Sequence, residues 1–104
     1  MKIHGSRSLG RTQVFVDGKE LKPHASQKVL NHSPDGFEWG YSGSGPAQLS
    51  LAILLHAGAS KERAVEMHQN LKAQVIAGLG YDFDIELEVR PDGTWGRPTP
   101  ASSH

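Results

Sequence analysis

Residues 82–89 read Asp-Phe-Asp-Ile-Glu-Leu-Glu-Val, an unbroken alternation of acidic and apolar side chains. A period of two is that of a β-strand. Phe83, Ile85, Leu87 and Val89 must therefore share a buried face, while Asp82, Asp84, Glu86 and Glu88 meet solvent or a partner. Such a strand commits the chain to a sheet covered on one side. The remaining residues must supply both the pairing strands and the cover. A chain of 104 residues has room for one domain and one modest core. A core of that size buries roughly 65% of the unfolded surface.

Residues 12–16, Thr-Gln-Val-Phe-Val, favour a strand, and Asp17-Gly18 is the pair that a two-residue hairpin turn demands. Residues 19–21 return, and Pro23 stops the ladder because it has no N–H to donate. Ser33-Pro34-Asp35-Gly36 carries a type I turn signature. Residues 37–41 then alternate again and predict a central strand, with Phe37, Trp39 and Tyr41 on one face and Glu38 and Gly40 on the other. The cover comes next. Pro46 suits the first position of a helix over residues 46–56, with Gly45 as its cap and Gln48 reaching back to that cap. Leucines on several sides of this helix predict burial all round. Ser60 caps a second helix, with Glu62 in its first turn, running to about residue 79. Ala64, His68, Leu71, Val75 and Leu79 form its apolar stripe. Residues 91–104 turn to Pro, Gly, Ser and Thr and predict a loosely ordered tail. The expected architecture is α+β. A small antiparallel β-sheet, made of the N-terminal hairpin, the central strand and the C-terminal strand, packs against two α-helices in one domain over residues 1–90.

Charge narrows the function. Eleven basic residues balance eleven acidic ones, so the basic excess that phosphate binding needs is missing, which argues against nucleic acid as a partner. A net charge of zero also favours self-association, and a homo-oligomer is expected. The chain has no cysteine, which removes disulfides, thiolate metal sites and a thiol nucleophile. The N-terminus lacks a signal-peptide run and the longest apolar run, residues 49–55, is too short to span a bilayer. A cytoplasmic protein without a membrane segment is the expectation.

Three features compete as sites, each against a plainer role. Gly40, Gly43 and Gly45 crowd a helix start, where free N–H groups and the macrodipole attract anions, and Ser42 and Ser44 offer hydroxyls. The plainer role is a tight turn in which glycines supply only positive φ. The spacing matches neither a phosphate loop nor a dinucleotide fingerprint. Phe37, Trp39 and Tyr41 are a stacking platform or simply core. The acidic stripe of residues 82–88 suggests a divalent metal, yet neighbours on one strand face stand about 7 Å apart. A solvated face that discourages edge pairing explains it better. The six histidines lack the i, i+4 spacing of helical zinc sites, so no metal site is assigned. His68 reads as a core histidine, and His32 is the one placed for chemistry. No nucleophile-elbow motif supports a catalytic serine.

Asn31-His32-Ser33-Pro34-Asp35-Gly36-Phe37-Glu38-Trp39-Gly40-Tyr41-Ser42-Gly43-Ser44-Gly45-Pro46-Ala47-Gln48-Leu49 resembles an uncharacterised domain-of-unknown-function family of short bacterial, archaeal and phage proteins. Its signature is N-H-S-P-x-G-F-E-W-G-Y-x-G-S-G-P-A-Q-L. The likeness extends more weakly from Val14 to Ile76, and residues 82–89 and the tail depart from the pattern. The resemblance implies membership and brings no activity. The phage occurrence it implies suggests, by analogy, inhibition of host defence through a protein or a signalling nucleotide.

The residues together point to a non-catalytic binding module, not an enzyme, with no cofactor. The expected ligand is anionic or nucleotide-like, held by Trp39, Tyr41, Ser42, Gly43, Ser44, Gly45, Gln48 and His32. The alternative is a protein-interaction module or inhibitor acting on a host protein. A hydrolase built on His32, Ser33 and Glu38 is a third reading and requires those side chains to converge.

Overall fold

The computed structural model describes residues 1–98; residues 99–104, the end of the expected tail, lie outside the described residues. Three strands open the chain, β1 (Lys2–Ser8), β2 (Arg11–Val16) and β3 (Lys19–Leu21). A short helix α1 (His24–Val29) and the long helices α2 (Ser44–His56) and α3 (Lys61–Gln74) follow. Strands β4 (Phe83–Glu86), β5 (Glu88–Val89) and β6 (Trp95–Gly96) complete it. The main sheet runs β3-β2-β1-β4, antiparallel throughout, so the α+β class with an antiparallel sheet and helical cover holds.

The first strand sits in the middle of that sheet, pairing Ile3 with Val16 on one side and Ile85 on the other. Its sequence advertises this poorly, with one β-branched residue among charges and Gly5. The glycine has a packing reason: a Cβ there would stand 2.1 Å from the Phe83 ring. Both hairpin turns place two consecutive residues at positive φ, Leu9-Gly10 at 53° and 75° and Asp17-Gly18 at 50° and 84°. That is the twist-matched two-residue turn.

Helix α2 is the centre of the molecule. Every residue from Gly45 to Leu54 is buried, as the surrounding leucines predict. Helix α3 covers it with one stripe, Ala64, His68 and Leu71, and Ser60 caps it by accepting from the Arg63 N–H. It ends at Gln74, with a 3-10 turn over Ile76–Gly78 instead of further α-helix. The sheet contributes Ile3, Val14, Val16 and Phe83 to the same core.

Two expectations need correction. Residues 37–41 form no strand. Their backbone polar groups are met elsewhere: Phe37 O accepts from Thr12 Oγ1, Trp39 O from Arg7 Nη2, and Gly40 N–H donates to Ile76 O. With no ladder partner, alternation here records burial of Phe37 and Trp39 in an extended connection. Residues 91–96, expected to open the loose tail, are ordered instead. Arg90 N–H donates to Thr94 O and Gly93 N–H to Arg90 O. The turn so formed returns β6 to β5, and Arg63 Nε pins Asp92 O. The eight-residue alternation is real in its faces, with all four acids exposed, but breaks at Leu87 so that its two halves join different sheets.

Candidate functional site

The segment between α1 and α2 is held down by Gln48. Its Oε1 accepts from the His32 and Ser33 amides at 2.8 and 3.0 Å, and its Nε2 donates to Ser26 Oγ at 2.9 Å and Leu30 O at 3.1 Å. All four capacities of a primary amide are spent, and the side chain is fully buried. Gln48 therefore does not reach back to a helix cap or out to a ligand. The N-cap of α2 is Gly43, two residues before the expected Gly45.

Gly45 is buried, and a Cβ on it would lie 2.5 Å from Glu38 Cβ. The glycine serves close approach of the connection to the helix, the tight-turn role. Glu38 is ion-paired with Arg7. The Arg7 guanidinium lies 4.4 Å from the Trp39 ring centre and 5.0 Å from that of Tyr81, and it also donates to Trp39 O and Tyr81 O. Trp39 is 1% exposed. Its Nε1 donates to Tyr81 O at 2.9 Å and it meets Phe83 edge-on at 4.9 Å. It is core, with no face left for stacking a ligand.

Tyr41, Ser42 and Ser44 are exposed. A Cβ at Gly43 would come within 2.4 Å of the Tyr41 ring, so the ring lies over the glycine backbone while half its surface faces solvent. Gly40, at φ 86°, turns the chain against Leu79 O. Tyr41 and Tyr81 thus flank one contact between Gly40 and Leu79.

The His32 ring meets α3. Its Nε2 meets His68 Nε2 at 2.8 Å, and His68 Nδ1 lies 2.6 Å from Val65 O. Burial first, then the His68 and Lys72 charges, hold His32 below its ordinary value of 6.5. Ser33 and Glu38 border a different feature, a 390 Å³ cleft beside the β1–β2 turn that Arg11, Thr12 and Asp35 also line. The hydrolase triplet is split, since His32 is engaged with His68. Among the described residues no three His, Cys, Asp or Glu side chains converge as a metal set, and no helix is long and apolar enough to cross a membrane.

Residues 3–91 match the model of a family of unknown function, DUF6166. The chain belongs to this family. The DUF6166 match takes in all eight candidate residues and also spans residues 82–89. No curated protein and no solved structure matches the chain.

Within the DUF6166 domain the structure adds residues that sequence reading passed over. Arg7 is the hub between β1, the connection and residues 81–82, and its amide also donates to Asp82 Oδ1 at 3.0 Å. A lone arginine in a strand carries no local signal for that. Leu9 is 99% exposed and Tyr81 71%. Nothing in the residue type foretells the positive φ of Leu9, because leucine is disfavoured there; only Gly10 suits the turn.

Proposed function

We propose that the protein is a non-catalytic interaction module that grips a protein partner with the end of the molecule at the β1–β2 turn. One observation carries this reading. Five large apolar side chains are exposed among the described residues; of these, Tyr81 lies over the Arg7 guanidinium, Tyr41 follows Gly40 at its contact with Leu79, and Leu9 sits in the β1–β2 turn two residues after Arg7. The loop Gly40-Tyr41-Ser42-Gly43-Ser44 has the composition of adaptable protein-binding loops, where tyrosine supplies area at low entropy and serine and glycine supply flexible hydrogen bonding. The surface is backed by buried Trp39 and the Arg7–Glu38 pair, so its anchors sit on a fixed base. The phage occurrence that the resemblance implies makes a host protein, such as a defence component, the partner to seek; a homo-oligomer through the same face is consistent with zero net charge.

A small ligand is the second reading, and one observation favours it: the cleft bordered by Arg11, Ser33, Asp35 and Glu38 has the volume of a small-molecule site. Geometry moves that reading away from Trp39, Gly45 and Gln48, whose contacts are internal. The deciding experiment compares affinity capture by the natural chain with capture by a Leu9→Asp, Tyr41→Ala, Tyr81→Ala variant of unchanged melting temperature. Partners lost with the triple variant support the module. An identical set captured by both defeats it.

A further inference from the structure

We propose that His32 and His68 form a two-nitrogen chelate for a late divalent transition-metal ion, Cu²⁺ above Ni²⁺ and Zn²⁺, which ties the residue 31–36 segment to α3. The two Nε2 atoms point at each other across 2.8 Å, with ring centres 4.9 Å apart. Metal–imidazole bonds are about 2.0–2.1 Å long, so two ligands at a right angle hold their nitrogens about 2.9 Å apart, and a tetrahedral pair about 3.3 Å. The observed N–N spacing suits an ion with right-angled sites, the preference of Cu²⁺ and Ni²⁺, once the partly covered His32 ring tilts so that both lone pairs meet off the N–N line.

The supporting bond has the form that metal-binding histidines use. His68 Nδ1 sits 2.6 Å from Val65 O, which places the hydrogen on Nδ1 and leaves the Nε2 lone pair for the ion. His68 is 3% exposed and cannot swing away. His32 needs only to carry its hydrogen on Nδ1 instead of Nε2, which frees its Nε2 lone pair as well. The His32 backbone is fixed independently by Gln48. His32 is only partly covered, so water can complete the coordination shell where two protein ligands stop. Lys72 opposes the ion by its charge and sets the affinity below that of a dedicated three-ligand site.

The test is titration of chelator-treated protein with Cu²⁺, Ni²⁺, Zn²⁺ and Mg²⁺, followed by calorimetry, and for Cu²⁺ by electron paramagnetic resonance. Cu²⁺ should bind at one equivalent with hyperfine structure from two nitrogens, Ni²⁺ and Zn²⁺ more weakly, and Mg²⁺ not at all. His32→Ala should weaken Cu²⁺ by about tenfold or more, the scale on which even a ligand's supporting bonds matter. Lys72→Gln, which keeps both rings, should tighten it, and His24→Ala and His56→Ala should leave it unchanged. Cu²⁺ affinity indifferent to His32→Ala, or no saturable uptake by the natural chain, overturns the proposal and leaves the pair a simple hydrogen bond.

Discussion

Gln48 shows how a single side chain can organise a connection without regular structure. Replacing it with alanine strips partners from the His32 and Ser33 amides and the Leu30 carbonyl, each costing about 1–3 kcal/mol when left unsatisfied, while Ser26 Oγ keeps its bond to Pro23 O. With partial rescue by water, Gln48→Ala should lower stability by about 3 kcal/mol or more, measured by urea unfolding. The expected cap role failed for a physical reason. A glutamine at the third helical position can reach back to a cap, but α2 is buried all round, and the amide spends its capacity on the nearest orphaned backbone. Leu9 is the reverse case. A leucine at φ 53° with 99% of its surface in water gains no packing and bears left-handed strain of about 1 kcal/mol. Leu9→Asn should therefore raise the melting temperature while weakening partner capture. A fall in stability would mean the turn is not the one described. His32 adds a pH dependence. Its folded pKa lies below the unfolded value of 6.5, so the unfolded chain takes up protons first as pH falls. Stability from this group is full above that value and declines below it, towards the folded pKa. His32→Gln should flatten the decline in acid-unfolding curves.

At the scale of elements, legibility in the sequence followed the strength of the local period. The β2–β3 hairpin, α2 and α3 could be read because Asp17-Gly18, Pro46 and Ser60 are local signals tied to backbone geometry. Strand β1 could not. Its pattern is diluted by Gly5, whose purpose is the Phe83 ring 78 positions away in sequence, and no local window carries that. Residues 37–41 had a strand's alternation without a strand's partner, so the burial of Phe37 and Trp39 was legible and the hydrogen bonding was not. The candidate site divided along the same line. Exposure of Tyr41, Ser42 and Ser44 fits a loop reading, while the coverage of Gly45 by Glu38 depends on tertiary contact. Ser60→Ala should cost about 1 kcal/mol through loss of the cap on Arg63 N–H. Gly45→Ala should cost about 1–3 kcal/mol by overpacking against Glu38, whose aliphatic carbons must move.

Across the whole molecule, one core unites the sheet residues Ile3, Val14, Val16 and Phe83 with α2 and α3, and the proposed anchors Leu9, Tyr41 and Tyr81 stand outside it. Separating function from folding is then straightforward in principle. Changes at Leu9, Tyr41 and Tyr81 should leave unfolding free energies within about 1 kcal/mol, while changes at Gln48, Gly45 and Trp39 should not. The order of the sheet has a kinetic meaning as well. Its first-made strand is flanked by β2, which emerges at once, and by β4, which waits until residue 86 has been synthesised. At about 5–20 residues per second on the ribosome, the N-terminal meander spends seconds with one ladder of amides and carbonyls open beside Ile3. During that interval neighbouring nascent chains compete with β4 for the same edge. The row of carboxylates that β4 and β5 carry is then more than surface decoration: like charges on two late strands repel each other, so the acidic strand closes its own sheet more readily than it pairs with a copy of itself.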